Sequence, residues 1–182
     1  MTPVDILNEE YKSIVDVLNE QSQPSLSSYA DKNFKKIFAL SSASYFEHLI
    51  QHILIDFISK ETNNNLKVIS FFKKKAIGMQ YHTYFNWGEK DNLDKPGKNA
   101  NAFFSLFGEE FKKNVEAEIN ADKNLESAVK AFLEIGHIRN ILVHSNFAAY
   151  NLDNKTVPEI YKLYEEGLQF INYIQKKLQQ TT

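Results

Sequence analysis

Residues 125–147, LESAVKAFLEIGHIRNILVHSNF, decide how the rest of the chain is read. Leu125, Ala128, Val129, Phe132 and Leu133 recur at the spacing of one helical face. Carried on at about 100° per residue, the helix returns Arg139 to that apolar stripe, near Phe132 and Val143. Arg139 is the only arginine in the chain. A cation aimed at a core is costly unless it has a partner, so its position asks for a reason. Asn140 and His144 stack one helical turn apart on one side, and the long Arg139 side chain reaches round to them. One helix thus presents a permanent planar cation, an amide and a group titrating near neutrality to one spot, which is what phosphate chemistry requires. Asp122 or Asn124 can cap the helix start. Gly136 inside it costs about 1 kcal/mol against alanine, which predicts a close approach or a kink there. His137 lies on the side of His144 but about 10 Å away by helical rise, too far to share a metal ion.

Outward from this stretch, the chain reads as helices. Thr2 and Asp5 form a capping-box pattern with Pro3 in the first turn, ahead of a stripe of Val4, Leu7, Tyr11, Ile14, Val15 and Leu18. Residues 25–60 read as one long helix, or two joined near Leu40 to Ser44. Phe46, Leu49, Ile50, Ile53, Leu54 and Phe57 form its core stripe, with Glu47 at the border. His48 and His52 have the spacing of a metal pair, but no glutamate follows His48 and both point away from the stripe, so surface histidines are expected. Leu66 to Met79 reads as a shorter helix, with Val68, Ile69, Phe72, Ala76 and Met79 inward and Lys73, Lys74 and Lys75 on it. Ala102 to Phe107, Glu109 to Ile119 and a last helix from Thr156 and Pro158 complete the set.

The stretch from Gln80 to Lys98 loses periodicity. It holds Tyr81, His82, Tyr84, Phe85 and Trp87, the only tryptophan, among Lys90, Lys95 and Lys98. Aromatics between lysines can stack unpaired bases and hold phosphates, which makes Lys73, Lys74, Lys75 and Trp87 candidate RNA contacts. The plainer use of such aromatics is to staple an irregular segment onto the bundle.

Composition narrows the classes. An apolar share of 43% describes a globular chain, and one helical domain over residues 1–182, with an insertion at about 61–122, is expected. The absence of cysteine removes thiolate nucleophiles and cysteine-bound zinc. A net charge of −2 advertises no global nucleic-acid field, so any RNA contact is local. No apolar run approaches the roughly 20 residues of a membrane span, and a cytoplasmic location is expected.

Arg139-Asn140, three intervening residues and His144, late in a helical chain and behind an amphipathic helix, resemble the signature of the HEPN superfamily. With Tyr45-Phe46-Glu47 in an earlier long helix and the aromatic insertion between, the layout is similar to the branch called RiboL-PSP-HEPN. HEPN toxins regulated by a nucleotidyltransferase partner carry a tyrosine two residues after the histidine. Asn146 stands there, so the resemblance does not extend to that regulation. The resemblance implies an all-α HEPN-like bundle. It proposes Glu47 as a partner that orients Arg139 and offsets its burial. It also implies a metal-independent endoribonuclease without cofactor, in which a ribose 2′-OH attacks the adjacent phosphate to leave a 2′,3′-cyclic phosphate and a 5′-OH. His144 would move protons, Arg139 would hold the phosphate, and Asn140 would orient phosphate or imidazole. A homodimer is implied, because one imidazole does not easily serve both sides of the phosphate, as is a role as toxin or phage-defence effector with a possible antitoxin or other defence-system partner. Two other readings remain: a HEPN module that binds RNA or a partner without cutting, and a metal-dependent hydrolase built from His48, His52 and another histidine.

Overall fold

Local chemistry places most helix boundaries. In a computed structural model, which describes residues 1–179, α1 spans Pro3–Glu20, and Thr2 and Asp5 close the capping box at its start. After a short turn, α2 runs unbroken over Pro24–Glu61, so the segment is one helix, not two. α3 covers Leu66–Phe72 and passes through a π-turn at Lys73–Ile77 into the short α4, Gly78–Gln80, and a 3₁₀ turn at Tyr81–Thr83. α5 is Asn101–Ser105 and α6 is Glu109–Ala121. α7, Lys123–His144, is capped by Asp122, whose carboxylate accepts the Asn124 and Leu125 amides. α8 spans Val157–Gln179, and Thr156 and Glu159 form a second capping box ahead of it. The fold is all-α: among the described residues no strand forms, only an isolated bridge between Gly88 and Pro96.

The core lies where α2, α7 and α8 meet. Phe46 of α2 stacks on Phe132 of α7 at 5.3 Å between ring centres and on Tyr164 of α8 at 5.7 Å. Gly167 permits this contact: a Cβ there would stand 2.7 Å from the Phe46 ring. α1 packs on α2, and Thr2 Oγ1 meets the Tyr164 hydroxyl at 2.6 Å. Val4 is buried and Leu7 and Tyr11 pack on the core, but Ile14 is exposed, so the α1 stripe serves only its first half.

The insertion is fastened by its aromatics. Phe85, Phe103 and Phe104 are buried, and Phe85 stacks on Phe103 and meets Phe132 edge-on, each at 4.9 Å. The π-turn corrects the expected inward face of the third helix. One extra residue in the turn rotates everything after it, so Ile77 is buried while Met79 stays exposed; Phe72, just ahead of the turn, is exposed as well. Beyond α7, Lys36 is buried at 1% exposure, donates to the Phe147 carbonyl at 2.8 Å and lies over the Phe147 ring. That buried lysine ties the segment behind His144 back to α2.

Candidate active site

α7 changes character along its length. From Ala128 to Ile138 it is buried on nearly every side, with Glu134 half-buried and Lys130 the one exposed position. At Arg139 it emerges: Arg139 and Asn140 are half-buried, and Val143 and His144 are exposed. Val143, expected on the core stripe, is 54% exposed: Ile141 and Leu142 hold the buried face at this level and Val143 turns out beside the groove. Arg139 Nη1 donates to Asn140 Oδ1 at 3.0 Å. That bond commits the amide oxygen to the cation and leaves the amide NH₂ as a donor for a ligand.

Two connected hollows flank this pair. A small recess is lined by Ala43 and Glu47 of α2, Gly78, Tyr81, His82 and Trp87 of the insertion, and Gly136, Arg139 and Asn140 of α7. An open groove of about 580 Å³ runs on from it, lined on α7 by His137, Arg139, Asn140, Ile141, Val143 and His144, and on the insertion by His82, Phe85, Asn86, Trp87, Gly88 and Lys90. Its size is that of a ligand site, and it brings Arg139, Asn140 and His144 to one surface.

Glu47 faces the recess together with Arg139 without forming an ion pair with it among the described residues; its Oε1 accepts the Gln51 amide at 3.1 Å. The direct pairing implied by resemblance is thus replaced by a shared enclosure. Tyr81 stands between them electrostatically. Burial holds its phenol well above the usual range, the Glu47 carboxylate pushes it further, and the Arg139 guanidinium opposes. Tyr81 is consequently a neutral hydroxyl at any ordinary pH.

Trp87, an expected stacking platform for a base, is half-buried and packs on Phe85 at 5.0 Å and Phe132 at 5.8 Å. Its Nε1–H donates to the His82 carbonyl at 3.0 Å. A Cβ at Gly136 would come 2.0 Å from the indole, so the expected close approach at this glycine is made by a side chain and not by a second helix. The indole is first a wall of the site. Lys73, Lys74 and Lys75 are exposed on the π-turn, just before Gly78 in the recess wall. His48 and His52 are exposed on α2 with ring centres 4.3 Å apart, and no cluster of three or more potential metal ligands occurs among the described residues.

The family model for RiboL-PSP-HEPN matches residues 5–180. The chain belongs to the RiboL-PSP-HEPN family. No curated protein and no solved structure matches it. Membership in this HEPN branch associates the chain with RNA-related function, and nuclease activity is frequent among HEPN domains. No helix among the described residues is long and apolar enough to cross a membrane.

Two residues of the site escape a reading by motif. His82 lines both hollows and is exposed, yet a lone histidine in an irregular segment has no period to mark it. His137 is buried, and its Nε2 meets the Asn92 carbonyl at 2.8 Å. It pins the insertion against α7, and the partner, a backbone carbonyl far along the chain, leaves no trace in residue pattern.

Proposed function

We propose that this chain is a metal-independent endoribonuclease that cuts RNA through attack of a ribose 2′-OH on the adjacent phosphate. The observation that carries the reading is the groove itself, where Arg139, Asn140 and His144 line one open surface of about 580 Å³. Arg139 offers two parallel N–H donors to the non-bridging oxygens and offsets the charge that builds on them in the transition state. The Asn140 amide adds a neutral donor beside it. His144, exposed at the end of α7, exchanges a proton with the 2′-oxygen or the 5′-oxygen. Glu47 and the neutral Tyr81 hold the environment of the guanidinium from the recess behind. Lys73, Lys74 and Lys75 receive the flanking backbone of the strand.

The same reading includes a homodimer. Val143 and Phe147, exposed beside His144, give apolar area for a second copy next to the groove. It also includes a cytoplasmic toxin or phage-defence role with a protein antitoxin or other defence partner, because an RNA-cutting enzyme endangers its own host.

Incubation of purified protein with total RNA in EDTA, beside Arg139→Ala and His144→Ala, tests it. Cleavage by wild type alone, ending in 2′,3′-cyclic phosphates and sparing DNA, is the expected result. Each variant should fall by about 10²–10³-fold, the usual loss for one charge-stabilising or proton-transfer group. Intact RNA that is nonetheless bound by wild type and by His144→Ala alike would replace the nuclease with a non-cutting RNA-binding module.

A further inference from the structure

Cleavage by internal attack needs two proton transfers on opposite sides of phosphorus. The 2′-O–P bond forms as the 2′-OH proton leaves, and the P–O5′ bond breaks as O5′ takes a proton. The Arg139 guanidinium and the Asn140 amide serve as hydrogen-bond donors, not as acid or base. Of the motif residues within one protomer, His144 alone is left for both sides.

The groove holds another exposed imidazole. His82 sits on the 3₁₀ turn of the insertion and lines the groove together with His144 and, like Arg139 and Asn140, the recess as well. It stands on the wall facing α7, so a phosphate on Arg139 has α7 on one side and the insertion on the other. The titratable and charged groups around it are Glu47 from α2, Tyr81 and Lys90 from the insertion, and His137, Arg139 and His144 from α7. Of these, His137 is buried and already engaged with the Asn92 carbonyl. His82 and His144 are the exposed imidazoles that the groove brings together.

We propose that His82 is the second proton-transfer residue of the site, working with His144 so that one protomer carries both the base and the acid. The inference rests on the endoribonuclease reading above. One imidazole takes the 2′-OH proton while the other, protonated, delivers its proton to O5′, and the pair is reset by proton exchange with water. The backbone of His82 has a separate duty, because its carbonyl accepts the Trp87 indole N–H. Removing the ring leaves that bond in place, so His82→Ala keeps the fold.

The experiment is the pH–rate profile of wild type, His82→Ala, His82→Gln and His144→Ala on one RNA oligonucleotide, with KM and kcat measured separately. Wild type should give a bell. His82→Ala should lose about 10²–10⁴-fold in kcat and one limb of the bell, with added imidazole restoring part of the rate. His82→Gln should match the alanine variant, since it keeps polarity without titrating. A parallel oligonucleotide with sulfur in place of the bridging 5′-oxygen needs no acid, and it tells which limb belongs to which imidazole.

Wild-type kcat and an intact bell in His82→Ala, with cleavage otherwise normal, overturn the inference and leave the nuclease standing. So does a rise in KM alone, or recovery in His82→Gln, either of which makes His82 a contact residue. Restored activity on mixing His82→Ala with His144→Ala protomers would place the two imidazoles in different subunits and overturn the single-protomer pairing. Absence of RNA cleavage by wild type removes the nuclease reading and this inference with it.

Discussion

The two ends of α7 are made of different chemistry on one continuous helix. Its middle three turns, from Ala128 to Ile138, are sealed among Phe46, Phe85, Phe170 and the Trp87 indole, and its last turn and a half carries Arg139, Asn140 and His144 to the groove. Rigidity and reactivity are therefore neighbours without sharing residues. A guanidinium and an amide keep a fixed place because the helix beneath them cannot shift, while the groups themselves remain wet enough to meet a phosphate. The comparison predicts that substitutions at one end change stability and those at the other change turnover.

Phe132→Ala tests the sealed end with the largest effect. Its ring contacts Phe46, Phe85, Trp87 and Phe170 and is fully buried, so truncation should cost about 3–5 kcal/mol in denaturant unfolding. Arg139→Ala, half-buried at the open end, should leave the melting temperature nearly unchanged while cleavage falls. Comparable losses of stability in both variants would break the division.

Gly136→Ala probes the seam. Helix propensity alone would stabilise the variant by about 1 kcal/mol. The new methyl group, 2.0 Å from the indole, must instead push Trp87 and the insertion aside. Overpacking of this kind should destabilise by about 1–3 kcal/mol and lower cleavage as the groove wall moves. A more stable variant with unchanged cleavage would show that the wall is not held at this point.

The smallest effect sets the α1 cap, on the packed side of the bundle, apart from the groove by pH. Asp5 lies below its ordinary carboxyl range because it accepts the Thr2 amide at the start of α1, with a further bond from the Tyr161 hydroxyl, against the opposing effect of burial. A carboxyl lowered on folding contributes stability that is full above its unfolded value of about 3.8 and is lost as pH falls through the folded one. Asp5→Asn should flatten that acid loss without moving the pH dependence of the proposed cleavage, since Asp5 lies on α1, outside the groove. A shift of the cleavage profile in this variant would couple the α1 cap to the groove.

What could be read from residues alone follows the range of the forces involved. The caps at Thr2, Asp122 and Thr156 and the buried face of α7 through Leu133 are short-range chemistry, and each was legible as pattern. The juxtaposition of Arg139, Asn140 and His144 followed from helical geometry. The π-turn was not legible: Lys73–Ile77 has no proline or glycine to announce it, and a regular helix carried past it placed Met79 inward. Glu47 was placed correctly at the border of its stripe, but its distance from Arg139 depends on how α2 crosses α7. The roles of Lys36 and His137, whose partners are backbone carbonyls of remote segments, could not be read for the same reason. Trp87 carried an RNA-stacking expectation from its lysine-rich surroundings, whereas tertiary contacts with Phe85, Phe132 and Gly136 decided its place.

The lone tryptophan has one more consequence. Its indole sits with one part against the core and another on the rim where recess and groove meet. Fluorescence excited selectively at the indole, beyond the absorption of the nine tyrosines, therefore comes from one residue that touches the interior and the site together. A red shift with loss of intensity would report the insertion lifting away, and quenching without a shift on adding RNA would report a base beside the indole, as the proposed function expects. The protein carries its own optical probe of the cleft, and no label need be attached to watch it fill.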